Sequence, residues 1–177
     1  MDYLIGLKKT IDELSVIDDL AEYDAAVVST LLLGFHSPES DIDIVCRYED
    51  PQRFAEHLKR LYKSQSGFEL RQQEDYCLCR FFFGGFQFEI YGAQTPVHRQ
   101  NAYRHFQIMR RVKELAGDAF AQKVRLLRAQ GLKPEAAICK LLDIDGEPYR
   151  AILHLEAKSD QELAALLSQY SSTNSEH

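Results

Sequence analysis

Apolar residues recur at helical spacing over residues 3 to 23, where Leu4, Leu7, Ile11 and Leu14 make one stripe, and the pattern predicts a helix. The short apolar run from Ala25 to Leu33 reads as a strand. A loop with Gly34, Ser37 and Pro38 follows, and then carboxylates alternate with isoleucines in a second strand, Asp41 to Arg47. Asp50 before Pro51 marks a helix start, because the carboxylate can accept from free amides and proline suits the first turn. That helix is expected to run to Lys63. Beyond the turn-forming Ser64 to Gly67, strands are expected at Phe68 to Gln73, Tyr76 to Phe83 and Phe86 to Tyr91, the last two joined by a Gly84-Gly85 hairpin turn.

After Pro96 the periodicity is helical throughout. The expected segments are 96 to 115, 118 to 130 closed by Gly131, 134 to 142 opened by Pro134, 147 to 156, and 160 to 170 opened by the capping box Ser159 to Glu162. The order αββαβββ followed by helices predicts an α+β fold, a mixed sheet with flanking helices and a C-terminal helical region. The expected organisation is an α/β core over residues 1 to 95, a helical region over 96 to 170 packed on it, and a disordered polar tail over 171 to 177.

A chain of 177 residues suits one well-cored domain, and 45% apolar with 27% charged residues is a globular composition. No apolar run approaches the roughly 20 residues of a membrane span, and the N-terminal segment lacks the apolar core of a signal peptide, so a cytoplasmic location is expected. The four cysteines, Cys46, Cys77, Cys79 and Cys139, are then expected to be reduced and mostly buried. The six histidines lack paired zinc-binding spacing. A net charge of −6 argues against a surface built wholly for nucleic acid. Its distribution is uneven, since residues 98 to 133 hold nine arginines and lysines against two acids. That segment reads either as a basic wall facing phosphate or as ordinary solvated helix faces.

The candidate chemistry lies in the acids. Alternation along a strand sends Asp41 and Asp43 to one face and Ile42 and Ile44 to the other. The same rule groups Gln87, Glu89 and Tyr91 against Phe86, Phe88 and Ile90. If the two strands are neighbours, Asp41, Asp43 and Glu89 form an oxygen-rich site of the kind magnesium takes. Two Mg²⁺ ions roughly 4 Å apart could then clamp the phosphates of a nucleoside triphosphate for in-line displacement. Glu89 would bind the catalytic metal or take the proton of an attacking hydroxyl. The same alternation also describes any half-exposed strand.

The spacing of Ser29-Thr30, Gly34 and Ser40-Asp41-Ile42-Asp43 resembles the active-site signature of the nucleotidyltransferase superfamily, in which a Gly-Ser pair precedes Ser-Asp-x-Asp. More closely, the chain resembles a family of bacterial nucleotidyltransferase-like proteins defined as a domain of unknown function. That likeness runs through Thr30 to Cys46, Glu89 to Gly92, Gln100 to His105, Gly131 to Lys133 with Glu135, and Gly146 to Tyr149. It implies a nucleotide-binding role for Ser29, Thr30, Gly34 and Ser40, with Ser29 standing where the superfamily has glycine. Arg104 and Arg111, seven residues apart on one helix face, could meet phosphate or pair with acids, and Lys133 could neutralise a triphosphate or be solvated. His36 reads as a loop residue within reach of a phosphate.

Two functions follow from the resemblance. The first is Mg-dependent nucleotidyl transfer from a nucleoside triphosphate to a hydroxyl of a small molecule, protein or RNA. The second is a catalytically weak nucleotidyltransferase-fold protein acting as a binding partner or antitoxin-like regulator.

Overall fold

A computed structural model describes residues 2–171, and the expected tail beyond Ser171 lies outside the described residues. The chain divides into two compact units. The first holds the chain up to Leu32 together with Ser40–Tyr103, and the second holds Leu33–Glu39 and the chain from Arg104 onward.

In the first unit the predicted N-terminal helix is broken into α1 (Asp2–Leu14), a one-turn α2 (Val16–Asp19) and a 3₁₀ turn (Ala21–Tyr23). Ser15 makes the break, adopting left-handed φ 56° while its N–H and hydroxyl both bond the carbonyl of Asp12. The turn keeps Val16, Leu20 and Tyr23 buried behind Leu7, Ile11 and Leu14, and leaves Leu4 of the expected stripe exposed. The run read as a strand to Leu33 pairs only over β1 (Ala26–Val27) and then winds into a 3₁₀ turn, Thr30–Leu33. Apolarity alone did not distinguish the two conformations. The buried Ser29 hydroxyl decides the turn locally, donating to the Asp41 carbonyl at 2.6 Å and accepting the Leu31 N–H at 3.3 Å.

The remaining elements are β2 (Ile42–Arg47), α3 (Pro51–Tyr62), β3 (Ser66–Gln72), β4 (Tyr76–Phe83) and β5 (Phe86–Ala93). Asp50 caps α3 as its position predicts, accepting from the N–H groups of Gln52 at 2.8 Å and Arg53 at 3.1 Å. The sheet order is β1-β2-β5-β4-β3, with β2 parallel to β5 and every other pairing antiparallel. Both residues of the Gly84-Gly85 turn have positive φ, as a two-residue hairpin requires, and this fixes Phe83 opposite Phe86 and all pairs behind them.

One face of the sheet is the core. Ile42, Ile44 and Cys46 of β2 lie beside Phe88, Ile90 and Gly92 of β5, and these beside Phe81, Cys79 and Cys77 of β4. Tyr62 of α3 stacks on Phe81 at 4.6 Å, and Phe54 sits against Gly92 so closely that a Cβ there would lie 2.3 Å from its ring. All four cysteines are free and buried, and burial pushes the Cys77 thiol up to about 11 and that of Cys79 to about 12.

In the second unit a helical run, α4 (Asn101–Ala129), begins in the first unit and is interrupted at Gly117, whose φ 73° and ψ −163° are not helical. It continues with α5 (Pro134–Leu141), the single turn α6 (Pro148–Ala151) and α7 (Asp160–Ser171). The Ser159 to Glu162 capping box forms, with reciprocal bonds of 2.7 and 3.2 Å. His105 of α4 is buried, its Nδ1 3.1 Å from Glu135 of α5 and its ring edge-on to Tyr149 at 4.3 Å. Burial alone would raise the Glu135 carboxyl, but the hydrogen bond and charge of His105 outweigh it and hold the group below its usual range.

Two measurements check this packing. Gly92→Ala should overpack the contact with Phe54 and cost about 1–3 kcal/mol in urea unfolding. A carboxyl held low in the folded state contributes stability that is present above its unfolded value, 4.5, and lost as pH falls through the folded one. Glu135→Gln should therefore cost about 1–3 kcal/mol near neutrality and flatten the acid limb of a stability-against-pH profile below about pH 4.5. An unchanged acid limb would show that His105 and Glu135 contribute nothing as a charged pair.

Candidate active site

The face of the sheet opposite the core carries charge, and strand pairing decides which charges meet. Asp43 of β2 is the register partner of Glu89 of β5, Glu89 of Arg80 on β4, and Arg80 of Glu69 on β3. Register partners point to the same face, so four strands present one row reading acid, acid, base, acid. Asp41 precedes β2 by one residue and keeps the alternation, half-buried like Asp43 while Ile42 between them is buried. The expected adjacency of Asp43 and Glu89 is thus a property of the β2-β5 pairing.

Like charges on adjacent strands destabilise a sheet unless something compensates. Here it is Arg80, whose Nε and Nη2 each lie 2.6 Å from Glu89 Oε2. The hydrogen bond to Glu89 holds the guanidinium above its ordinary range against the opposing effect of burial, with Asp41 and Glu69 adding to the field. Reading the acids alone missed Arg80, although the sequence contained the signal. It is the one charged residue in Tyr76–Phe83, and counting back from a two-residue turn at Gly84-Gly85 places it opposite Glu89.

The other predicted binding residues divide between the units. In the first, Thr30 and Ser40 are half-buried, while Ser29 is fully buried with its hydroxyl spent on the Asp41 carbonyl. In the second, Gly34 has φ +70° and its carbonyl accepts from Arg125 Nη1 at 2.6 Å, while Arg128 Nη1 donates to the carbonyl of Phe35. Burial and these two arginines together disfavour the cationic form of His36. Arg104 grips Glu156 through Nε and Nη2 at 2.5 to 3.2 Å, and Arg111 holds Asp160 at 2.7 Å. Lys133 is exposed at the start of α5.

Oxygen-only donors at Asp41, Asp43 and Glu89 match in kind what magnesium takes, and the strand register brings two of them side by side. Among the described residues no three His, Cys, Asp or Glu side chains stand as a ready metal-binding group. Glu89 is turned toward β4 by Arg80. The set matches the ion in donor type, and the strand register places Asp43 beside Glu89.

No curated protein matches the sequence significantly. Among solved structures, the Cid1 poly(U) polymerase with bound MgGTP is similar over 85% of this chain and 48% of its own, with a TM-score of 0.56 and 14% identity. A cytoplasmic RNA terminal U-transferase is similar over 96% of this chain and 66% of its own, with a TM-score of 0.59 and 14% identity. The polymerase core of TRAMP, an RNA surveillance complex, is similar over 92% of this chain and 55% of its own, with a TM-score of 0.50 and 18% identity. The chain thus spans from about half to just under two thirds of these structures, and at such identity the likeness is one of fold, that of the nucleotidyltransferases. No helix among the described residues is long and apolar enough to cross a membrane. A family model described as Domain of unknown function (DUF4269) matches residues 9–155, and the chain belongs to that family.

Proposed function

We propose that the protein transfers a nucleoside monophosphate from a nucleoside triphosphate to a hydroxyl, with magnesium as cofactor. The observation that carries this reading is the register pairing of Asp43 with Glu89, with Asp41 one alternation away, on a nucleotidyltransferase fold. Asp41, Asp43 and Glu89 would hold the metal. Bound there, magnesium would polarise the α-phosphate and stabilise the pyrophosphate leaving group.

The protein's own groups do the rest. Glu89 accepts the proton of the attacking hydroxyl as its oxygen bonds to the α-phosphorus and the bond from phosphorus to pyrophosphate breaks. Thr30 and Ser40 supply hydroxyl donors for the phosphates. Ser29 acts one step back, fixing the Asp41 backbone and so the start of the acid-bearing strand. The similar structures are of a poly(U) polymerase selective for UTP and of an RNA terminal U-transferase, which makes RNA and UTP the first substrates to try, ahead of a small-molecule or protein acceptor. The cytoplasm is the compartment this chemistry suits.

One observation favours a second reading. Arg80 already neutralises Glu89, and Arg104 and Arg111 are committed to acids within their own unit. Such a protein could keep the fold without turnover and serve as a binding partner or antitoxin-like regulator.

Thermal unfolding with Mg²⁺ and each of ATP, CTP, GTP and UTP separates the two. Enzyme function predicts stabilisation of about 2.7 kcal/mol at a hundredfold excess over the dissociation constant, abolished in Asp41→Asn/Asp43→Asn. It also predicts transfer of label from an α-labelled triphosphate to an RNA oligonucleotide or to an acceptor in cell extract. Stabilisation by no triphosphate at any metal concentration would leave the partner reading standing.

A further inference from the structure

Glu89 lies between two competing partners. On β2 its register neighbour is Asp43, with which it can share a cation, and on β4 its register neighbour is Arg80, which is itself a cation. Neighbouring strands are about 4.8 Å apart, so rotation of the Glu89 side chain is enough to move its carboxylate from one side to the other. Both Arg80 nitrogens converge on the single oxygen Oε2, unlike the fork in which each carboxylate oxygen takes its own N–H. Neither side chain is sealed in, with 37% of Arg80 and 23% of Glu89 exposed, so water can enter as they part. Once parted, Arg80 still has an anionic neighbour in Glu69, its register partner on the far side.

We propose that Arg80 is a positioning residue for Glu89. It holds the third carboxylate on the β4 side while no divalent cation is present, and yields it when a cation enters beside Asp43. The freed guanidinium then lies on the charged face of the sheet next to the metal-bound nucleotide, where it can donate to a phosphate oxygen. The inference rests on the nucleotidyl-transfer reading, and adds that cation and triphosphate binding are coupled through one arginine. Metal binding alone costs the Arg80-Glu89 pair, whereas binding with a triphosphate gives the arginine a new anion.

Manganous ion, followed by the EPR signal of the free ion, tests this without turnover. Arg80→Gln should bind Mn²⁺ alone about tenfold more tightly than the unaltered protein, the size expected from removing one charge held within a few ångströms of the site. Arg80→Lys keeps the charge but loses the two-nitrogen grip, and should bind Mn²⁺ a few-fold more tightly. Arg71→Gln removes a positive charge from the neighbouring strand without touching Glu89 and should leave Mn²⁺ binding unchanged. With Mn²⁺ saturating, Arg80→Gln should bind a triphosphate carrying an imido α–β bridge about tenfold more weakly, having lost a charge-assisted hydrogen bond.

The proposal is overturned if Arg80→Gln binds Mn²⁺ no more tightly than the unaltered protein does, or if Arg71→Gln tightens binding equally and so reveals a general field effect. Unchanged triphosphate affinity in Arg80→Gln overturns the second half. Should Arg80→Gln fail to fold, Arg80→Lys carries the test, and Mn²⁺ affinity equal to that of the unaltered protein then decides against the proposal. If folded protein takes up no Mn²⁺ with or without Arg80, nucleotidyl transfer falls together with this inference, whereas normal Mn²⁺ uptake indifferent to residue 80 sinks this inference alone.

Discussion

The structure of the first unit depends on the register of β5, which is held between β2 on one side and β4 on the other. A strand has only two faces, and slipping it by one residue would exchange them. Phe88 and Ile90 must face the core with Ile42, Ile44, Phe81 and Cys79, so Glu89 must face away, beside Asp43 and Arg80. The same register puts Gly92 under the ring of Phe54, where α3 approaches the sheet too closely for a side chain. The charged row is thus fixed by packing it does not touch. Core and candidate site are two readings of one set of strand pairings.

That dependence explains what the sequence could disclose. Features set by neighbouring residues were legible: the Asp50-Pro51 helix start, the Gly84-Gly85 hairpin, the Ser159 capping box and the alternation that aligns Asp41 with Asp43. What failed turned on a hydrogen bond and a backbone conformation that hydrophobicity does not record. The apolar run to Leu33 suits a strand as well as a 3₁₀ turn, and a bond from the Ser29 hydroxyl to a backbone twelve residues away selects the turn. The break at Ser15 likewise turns on one left-handed residue inside an unbroken periodicity.

The basic segment from 98 to 133 shows a different limit. Its excess charge was real, but the count stopped before its partners. Glu135, Glu156 and Asp160 lie further along the chain and take up His105, Arg104 and Arg111. Lys113 and Arg110 find Asp118 and Glu114 inside the segment, while Arg125 and Arg128 turn to backbone carbonyls of the Leu33–Glu39 loop. A charge window becomes a surface only after folding has chosen the pairs.

These pairings separate residues that pack the second unit from those on the charged face of the first. His105, Glu135 and Tyr149, drawn from three of the segments that carry the family likeness, make one cluster around the buried His105 ring, and Glu147 caps α6. They are accounted for by the folding of the second unit. Asp41, Asp43 and Glu89 belong to the charged face of the first unit. Asp43 and Glu89 face each other across parallel strands, where like charges cost stability. Arg80 offsets part of that cost through its bonds to Glu89. On that face the cross-strand pairs set both the cost of the acids and the partner that relieves it, so the charges at 43, 80 and 89 act on stability together.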